Sequence, residues 1–370
     1  MRFGLFLMPE PFPWSNWTLS YDLKLEEIVL AERLGFDEVW VGEHHTGAYE
    51  NIPAPDLFIA KASALTHRIG LGTGTINLPY HDPFMVAERL AFLDHLTHGR
   101  LIYGFGGGGL VSDRSFFQLD KDEGTPRMHE ALDIIEQLFA NTEYIDYSGK
   151  FWDLDHKRIQ VRPYQEHPQF SVAGMSGTHN FALCGERGYS ALSIYFTPTT
   201  IENNPGMPDL VAQGRALANA ASTAGRDPAK ATDDWRICRE VYVSDSKNAA
   251  MNEIREEPQA VVRLSVQDRV GTADETRCDD ARRGRQLRLD GREHPMDHRL
   301  APGLHGTDQR ARRGRRWVRL AVVQLARVGH DRSLESLARA VRSVRLAAFP
   351  TPRRSTVPQR TRRRCAGRLT

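Results

Sequence analysis

Residues Ile69–Phe105, IGLGTGTINLPYHDPFMVAERLAFLDHLTHGRLIYGF, decide the fold. They read as a strand over Ile69–Ile76, a helix over Pro83–Leu96 closed by Gly99, and a second strand over Leu101–Phe105. A strand, a crossover helix and a strand at this spacing make one parallel βα unit. The same alternation extends in both directions. Upstream lie strands over Arg2–Met8 and Glu38–Val41. Between them Leu23, Leu25, Ile28, Val29 and Leu34 share one side of a helix over Leu23–Leu34, and Pro55–Thr66 forms a second helix with proline near its start.

Downstream, Thr125-Pro126 opens a helix to about Phe139, with Thr125 expected as N-cap. Tyr144–Arg162 reads as an antiparallel excursion around the turn Tyr147–Lys150. Strands follow at Phe170–Ala173, Ala191–Tyr195 and Ile237–Val243. Helices follow at His179–Arg187 (stopped by Gly188), Pro208–Ala224 and Lys247–Arg255. Seven such units in about 250 residues predict a TIM (β/α)8 barrel whose eighth βα unit is missing or scrambled, with a doubly wound sheet as the alternative. A barrel short of one strand would leave sheet edges open, with weak stability and doubtful activity as the consequence.

The net charge of +2 hides a division into two regions. Residues 1–254 hold 21 Lys+Arg against 34 Asp+Glu, a net of −13. Residues 255–370 hold 28 Arg, no Lys and 13 Asp+Glu, a net of +15. Residues 1–254 therefore read as the barrel, and 255–370 as an atypical Arg-rich tail in which only Trp317–Val344 has helical apolar spacing. A basic arm for nucleic acid is one reading of the tail. The absence of lysine favours another, in which a GC-rich gene is read in a shifted frame, so nucleic acid is not an expected partner. Four scattered cysteines fit a reducing compartment. No apolar run approaches the roughly 20 residues of a membrane span, so a soluble, cytoplasmic chain is expected.

In a barrel of this type chemistry gathers where the strands end. The second strand ends in Gly42-Glu43-His44-His45, the third in Gly72-Thr73-Gly74-Thr75, the fourth in Gly104–Gly109 and the fifth in Gly174-Met175-Ser176-Gly177-Thr178. An imidazole changes charge near neutral pH and can move protons, and successive residues of a strand point to opposite faces, so one of His44 and His45 can face a site while the other packs. Gly72 and Gly74 suggest a flat ring lying on bare main chain, or else a bulge or close packing. The loop after the fifth strand could bind an anion at a helix N-terminus, or simply cap the helix. Gly104, Gly106 and Gly109 fit a dinucleotide fingerprint only weakly, since no helix is expected to open from them. No metal site is expected.

Together, Glu43-His44-His45, Glu50–Pro55, the block Gly72–Arg100 and Phe3–Phe6 resemble the bacterial luciferase-like flavin monooxygenases, most of all the limonene-monooxygenase-type branch. The resemblance covers residues 1 to about 254. It implies reduced FMN from a separate flavin reductase, molecular oxygen, and oxidation of a small apolar substrate (terpene- or alkanal-like) through a flavin C4a-peroxide. A deazaflavin-dependent oxidoreductase, or an inactive flavin-binding paralogue, are the alternatives. By position in the family motif, His44 would be the catalytic acid/base, and Gly74-Thr75 the pair joined by a non-proline cis peptide under the ring. Gly106 would line the cofactor, where luciferase itself carries a cysteine. Arg127 would bind the phosphate, with Gly174, Met175, Ser176 and Thr178 forming the phosphate loop. A homodimer through Pro55–Thr66 and Pro83–Leu96 is also implied, and Ala60, Ala62, Ser63 and Ala64 would permit close helix approach.

Overall fold

Trp40, fully buried, organises the centre of the sheet. In the computed structural model, which describes residues 2–7, 16–46, 51–175, 177–194, 209–241, 246, 248 and 320–325, eleven strands occur: Phe3–Leu7 (β1), Glu38–Val41 (β2), Gly70–Thr73 (β3), Ile76–Asn77 (β4), Leu101–Gly106 (β5), Ile145–Ser148 (β6), Asp153–Lys157 (β7), Phe170–Gly174 (β8), Ser190–Ile194 (β9), Arg236–Val241 (β10) and Leu320–Leu325 (β11). The helices are Trp17–Arg33 (α1), Pro55–Ser63 (α2), Pro83–Leu96 (α3), Val111–Phe116 (α4), Gly124–Ala140 (α5), His179–Arg187 (α6), Leu210–Thr223 (α7) and Pro228–Asp233 (α8). The chain divides into two compact units, 1–330 and 331–370, and everything described belongs to the first.

Hydrogen bonding runs β3-β2-β1-β11-β10-β9-β8-β5, and β3 pairs back onto β5 through Leu71–Leu101 and Gly72–Ile102. The expected barrel is therefore present, with seven of its eight ring strands parallel. The eighth place is taken by β11, antiparallel to β1 (Phe3 opposite Gln324) and to β10 (Arg236 opposite Leu325). The open edge anticipated between the first and last strands is covered. β11 comes from the Arg-rich region, inside the stretch whose spacing suggests a helix. Its sequence, LAVVQL, is a near-continuous apolar run with adjacent valines, which suits a strand paired on both sides.

Phe6, Trp40, Ile102, Leu192 and Cys238, from five different strands, form one buried cluster. The indole of Trp40 explains two glycines. A Cβ at Gly72 would approach it to 2.7 Å, and one at Gly104 would approach it to 2.9 Å and overlap the Thr73 carbonyl. At Gly72, then, close packing prevails over a ligand ring. At the N-terminal ends of the strands, Arg236 makes two 2.8 Å bonds to Glu38 across the barrel, and Trp40 Nε1 donates to Glu38 Oε2 at 3.0 Å. Burial alone would raise the Glu38 pKa; the Arg236 guanidinium and the indole outweigh it and hold the carboxyl below its usual range.

Local departures from expectation have identifiable causes. α1 begins at Trp17 because Asn16 caps it, accepting from Leu19 N at 3.0 Å. α5 begins at Gly124, and Thr125 does not cap it. The expected third strand is two pieces. The Thr73 hydroxyl donates to Gly104 O (2.7 Å) and accepts from Gly104 N (2.8 Å) where direct ladder pairing stops; the Gly74–Thr75 peptide is cis, and β4 then pairs with β5. α4 and α8 were not anticipated. Ser176 and nearly all of the expected helix at Lys247–Arg255 lie outside the described residues.

Candidate active site

The C-terminal end of β2 continues directly into Glu43-His44-His45, and the two rings take different partners. His44 Nδ1 donates to Asp113 Oδ2 at 2.8 Å. Asp113 sits in the first turn of α4, and its other oxygen accepts from the Thr46 hydroxyl (2.6 Å) and from His45 N (3.2 Å). Its carboxylate is buried while His44 stays partly exposed. Burial pushes the Asp113 pKa up; the hydrogen bonds from His44, Thr46 and the His45 amide, together with the His44 charge, pull it further down, to below the usual range. An ionised Asp113 requires the proton on Nδ1. Nε2 is then the nitrogen able to take up and return a proton.

His45 serves a different purpose. His45 Nε2 and His81 Nε2 both donate to Glu43 Oε1 at 2.7 Å, while Glu43 Oε2 accepts from Asn77 N at 2.7 Å. Asn77 Nδ2 returns a bond to the Glu43 carbonyl at 3.2 Å. Glu43 thus ties the end of β2 to β4 and to the turn carrying His81. Burial raises its pKa, but these donors prevail and keep it ionised below its ordinary value. The His45 ring also packs edge-on to Phe117, which stacks on Tyr80. Among the described residues Glu43, His45 and His81 are the one group with the composition of a metal site. In this arrangement both imidazoles are hydrogen-bonded to the one carboxylate oxygen, each at 2.7 Å.

Of the other sequence-derived site residues, Gly74, Gly106 and Gly174 lie at or beside C-terminal strand ends, and Met175 and Thr178 lie between β8 and α6. Gly74 N donates to Val41 O at 2.6 Å, which sets the cis peptide beside the end of β2. A Cβ at Gly74 would meet the Phe6 ring at 2.8 Å. Gly106 ends β5 opposite Asn77, and a Cβ there would overlap the Thr75 hydroxyl. Gly109 lies against Met175, bringing the loops after β5 and β8 together. Gly174 ends β8, where a Cβ would meet Phe181 of α6 at 2.5 Å, so helix packing accounts for that glycine. Thr178 occupies the N-cap position of α6 without a capping side-chain bond. Arg127 keeps to its own helix and the turn after β6: Nε bonds Glu123 at 3.2 Å, and the guanidinium lies 4.5 Å over the Phe151 ring. Sequence reasoning missed Asp113, whose only signal was a carboxylate soon after a glycine-rich strand end.

A parallel-type barrel with a buried carboxylate–imidazole pair at the C-terminal ends of its strands is the framework of a barrel enzyme. The family model for luciferase-like monooxygenases matches residues 1–342, and the chain belongs to that family of monooxygenase enzymes. It is 36% identical over 257 residues to the 4-hydroxyprotoasukamycin monooxygenase of Streptomyces nodosus subsp. asukaensis, covering 69% of this chain and 67% of that one. It is 34% identical over 259 residues to the limonene 1,2-monooxygenase of Rhodococcus erythropolis, covering 68% and 63%. In fold it is similar to the oxygenating constituent of 3,6-diketocamphane monooxygenase from Pseudomonas putida, solved with FMN, with a TM-score of 0.62, 24% identity, and 76% and 80% of the two chains covered. No helix among the described residues is long and apolar enough to cross a membrane.

Proposed function

We propose that the chain is an FMN-dependent monooxygenase that accepts reduced FMN from a separate flavin reductase and uses molecular oxygen to oxidise a small apolar organic molecule of terpene or alkanal type. The observation that carries this reading is the His44–Asp113 pair at the mouth of a luciferase-like barrel. Bound reduced FMN would supply the activation of oxygen. The residues fit such a group. At Gly106 the Thr75 and Asn77 side chains leave no room for a Cβ, and the bare main chain at Gly74 and Gly106 suits the approach of a flat ring. Met175, Ser176 and Thr178, before the start of α6, would take the phosphate, with Gly174 at the head of the loop. Arg127 would add a cation. Its present partner Glu123 is a partly exposed i,i+4 pair, an interaction worth little and open to competition by a phosphate.

His44 would hold or move the proton that the chemistry needs, its ring fixed by Asp113. The Glu43 clamp keeps the neighbouring His45 out of that role by committing it to the protein. Val111 and Phe116 of α4, together with Met175, are exposed apolar side chains on the loops after β5 and β8, suited to an apolar substrate. Exposed Leu57 on α2 and Met85, Phe92 and Leu96 on α3 support a homodimer through these two helices.

The test is oxygen consumption and product formation with a flavin reductase, NADH and FMN, across limonene, decanal and a bicyclic ketone. A substrate-dependent product that disappears in His44→Ala is expected. Turnover with a reduced deazaflavin, and none with FMN, would move the assignment to a deazaflavin oxidoreductase.

A further inference from the structure

A second buried polar network lies behind the loop after β8. Trp235 Nε1 donates to Ser193 Oγ at 3.0 Å, and Ser193 Oγ donates to Gln213 Oε1 at 2.7 Å. Gln213 Nε2 donates to the Met175 carbonyl at 2.9 Å and to the Gly177 carbonyl at 3.3 Å. Gln213 and Ser193 are fully buried, and Trp235 nearly so.

The direction of the chain is set by chemistry. The Met175 and Gly177 carbonyls can only accept, so the Gln213 NH2 must face them, and the serine hydroxyl, accepting from the indole N–H, donates to the amide oxygen. Both carbonyls are drawn inward. In the trans Gly177–Thr178 peptide the amide N–H of Thr178 then points the opposite way, outward at the start of α6. The helix bearing Gln213 is itself held close. A Cβ at Gly185 of α6 would run into α7 backbone, and Gly214 packs on the Trp235 ring.

We propose that Gln213 is the positioning residue of the phosphate loop: by holding the Met175 and Gly177 carbonyls inward, it keeps the Thr178 amide facing outward for the phosphate of the cofactor. This rests on the FMN reading above. Without the amide, the two carbonyls lose their inward donor, and the loop presents oxygens as readily as N–H groups to an anion.

The experiment compares dissociation constants for FMN and riboflavin, which differ only in the phosphate, on the full chain by flavin fluorescence. In Gln213→Leu and Gln213→Glu, FMN affinity should fall about tenfold or more, while riboflavin affinity stays within about twofold of the parent. Ser193→Ala, which removes the donor that anchors the Gln213 oxygen but leaves Gln213 in place, should give the same selective loss at smaller size. It carries the test if the Gln213 variants do not fold. Parallel weakening of both flavins, or no change in either, overturns the positioning role while leaving the cofactor assignment intact. Failure of the parent chain to bind FMN better than riboflavin overturns the phosphate site itself.

Discussion

Replacing Asp113 with Asn keeps the shape of the side chain and removes its charge. The Oδ1 side accepts from Thr46 and from His45 N, so the new amide keeps its oxygen there. Its NH2 then stands 2.8 Å from His44 Nδ1, where Oδ2 was. Two donors cannot share that space, so His44 shifts its proton to Nε2 and presents a donor at the mouth in place of a base. The lost charge-assisted hydrogen bond and the wrong tautomer together cost about 2–4 kcal/mol, or roughly 30- to 1,000-fold in rate. The assay is product formation under saturating substrate with reduced FMN supplied, alongside FMN affinity and thermal midpoint. Turnover should fall within that range with FMN affinity unchanged. The double variant His44→Ala/Asp113→Asn should be no slower than His44→Ala alone. Turnover within about threefold of the parent, with His44→Ala down more than about a hundredfold, would refute the idea that Asp113 sets the state of His44.

The same contacts dictate other outcomes. Arg236→Met strands a buried Glu38 carboxylate and should cost about 3–5 kcal/mol in urea unfolding, most of it recovered in Arg236→Met/Glu38→Gln; an equal loss in both variants would show that the ion pair is not the cause. Glu38, Glu43 and Asp113 all have folded-state pKa values below the ordinary carboxylate value. Their contribution to stability is therefore present above about pH 4 and disappears as pH falls through the lowered folded values, so the urea midpoint should drop steeply below about pH 4 and the drop should shrink in Arg236→Met/Glu38→Gln. Gly106→Ala forces a methyl into Thr75 and Asn77 and should cost about 1–3 kcal/mol while weakening FMN binding; unchanged affinity would remove Gly106 from the cofactor's surroundings.

Much of this could be read from residue order because the local signals and the tertiary demand agree. Apolar runs of strand length alternate with amphipathic helices from Phe3 to Val241. The stops at Gly99 and Gly188 fall where φ is +75° at both, the left-handed backbone glycine favours. His44 was legible because a polar residue at a strand's end in such a barrel has few structural reasons to be there. Asp113 was not, because it sits in a six-residue helix with exposed Val111 and Phe116, which leaves no periodicity to detect, and folding alone brings it to His44 across 69 positions. The Glu43 bonds to His45, His81 and Asn77 were hidden for the same reason. Gly72 and Gly174 illustrate the converse. A glycine states only that a Cβ is unwelcome, and whether the intruder is Trp40, Phe181 or a ligand is decided by packing. β11 escaped because its partners lie far away in sequence and its surroundings are arginine-rich.

The most direct measurement is oxygen-isotope incorporation. The full chain, given reduced FMN and oxygen-18 gas with the substrate that supports turnover, should yield product carrying a single labelled atom, and His44→Ala should yield almost none. Product without the label, or labelled product formed equally well without His44, would contradict a monooxygenase working at this barrel mouth.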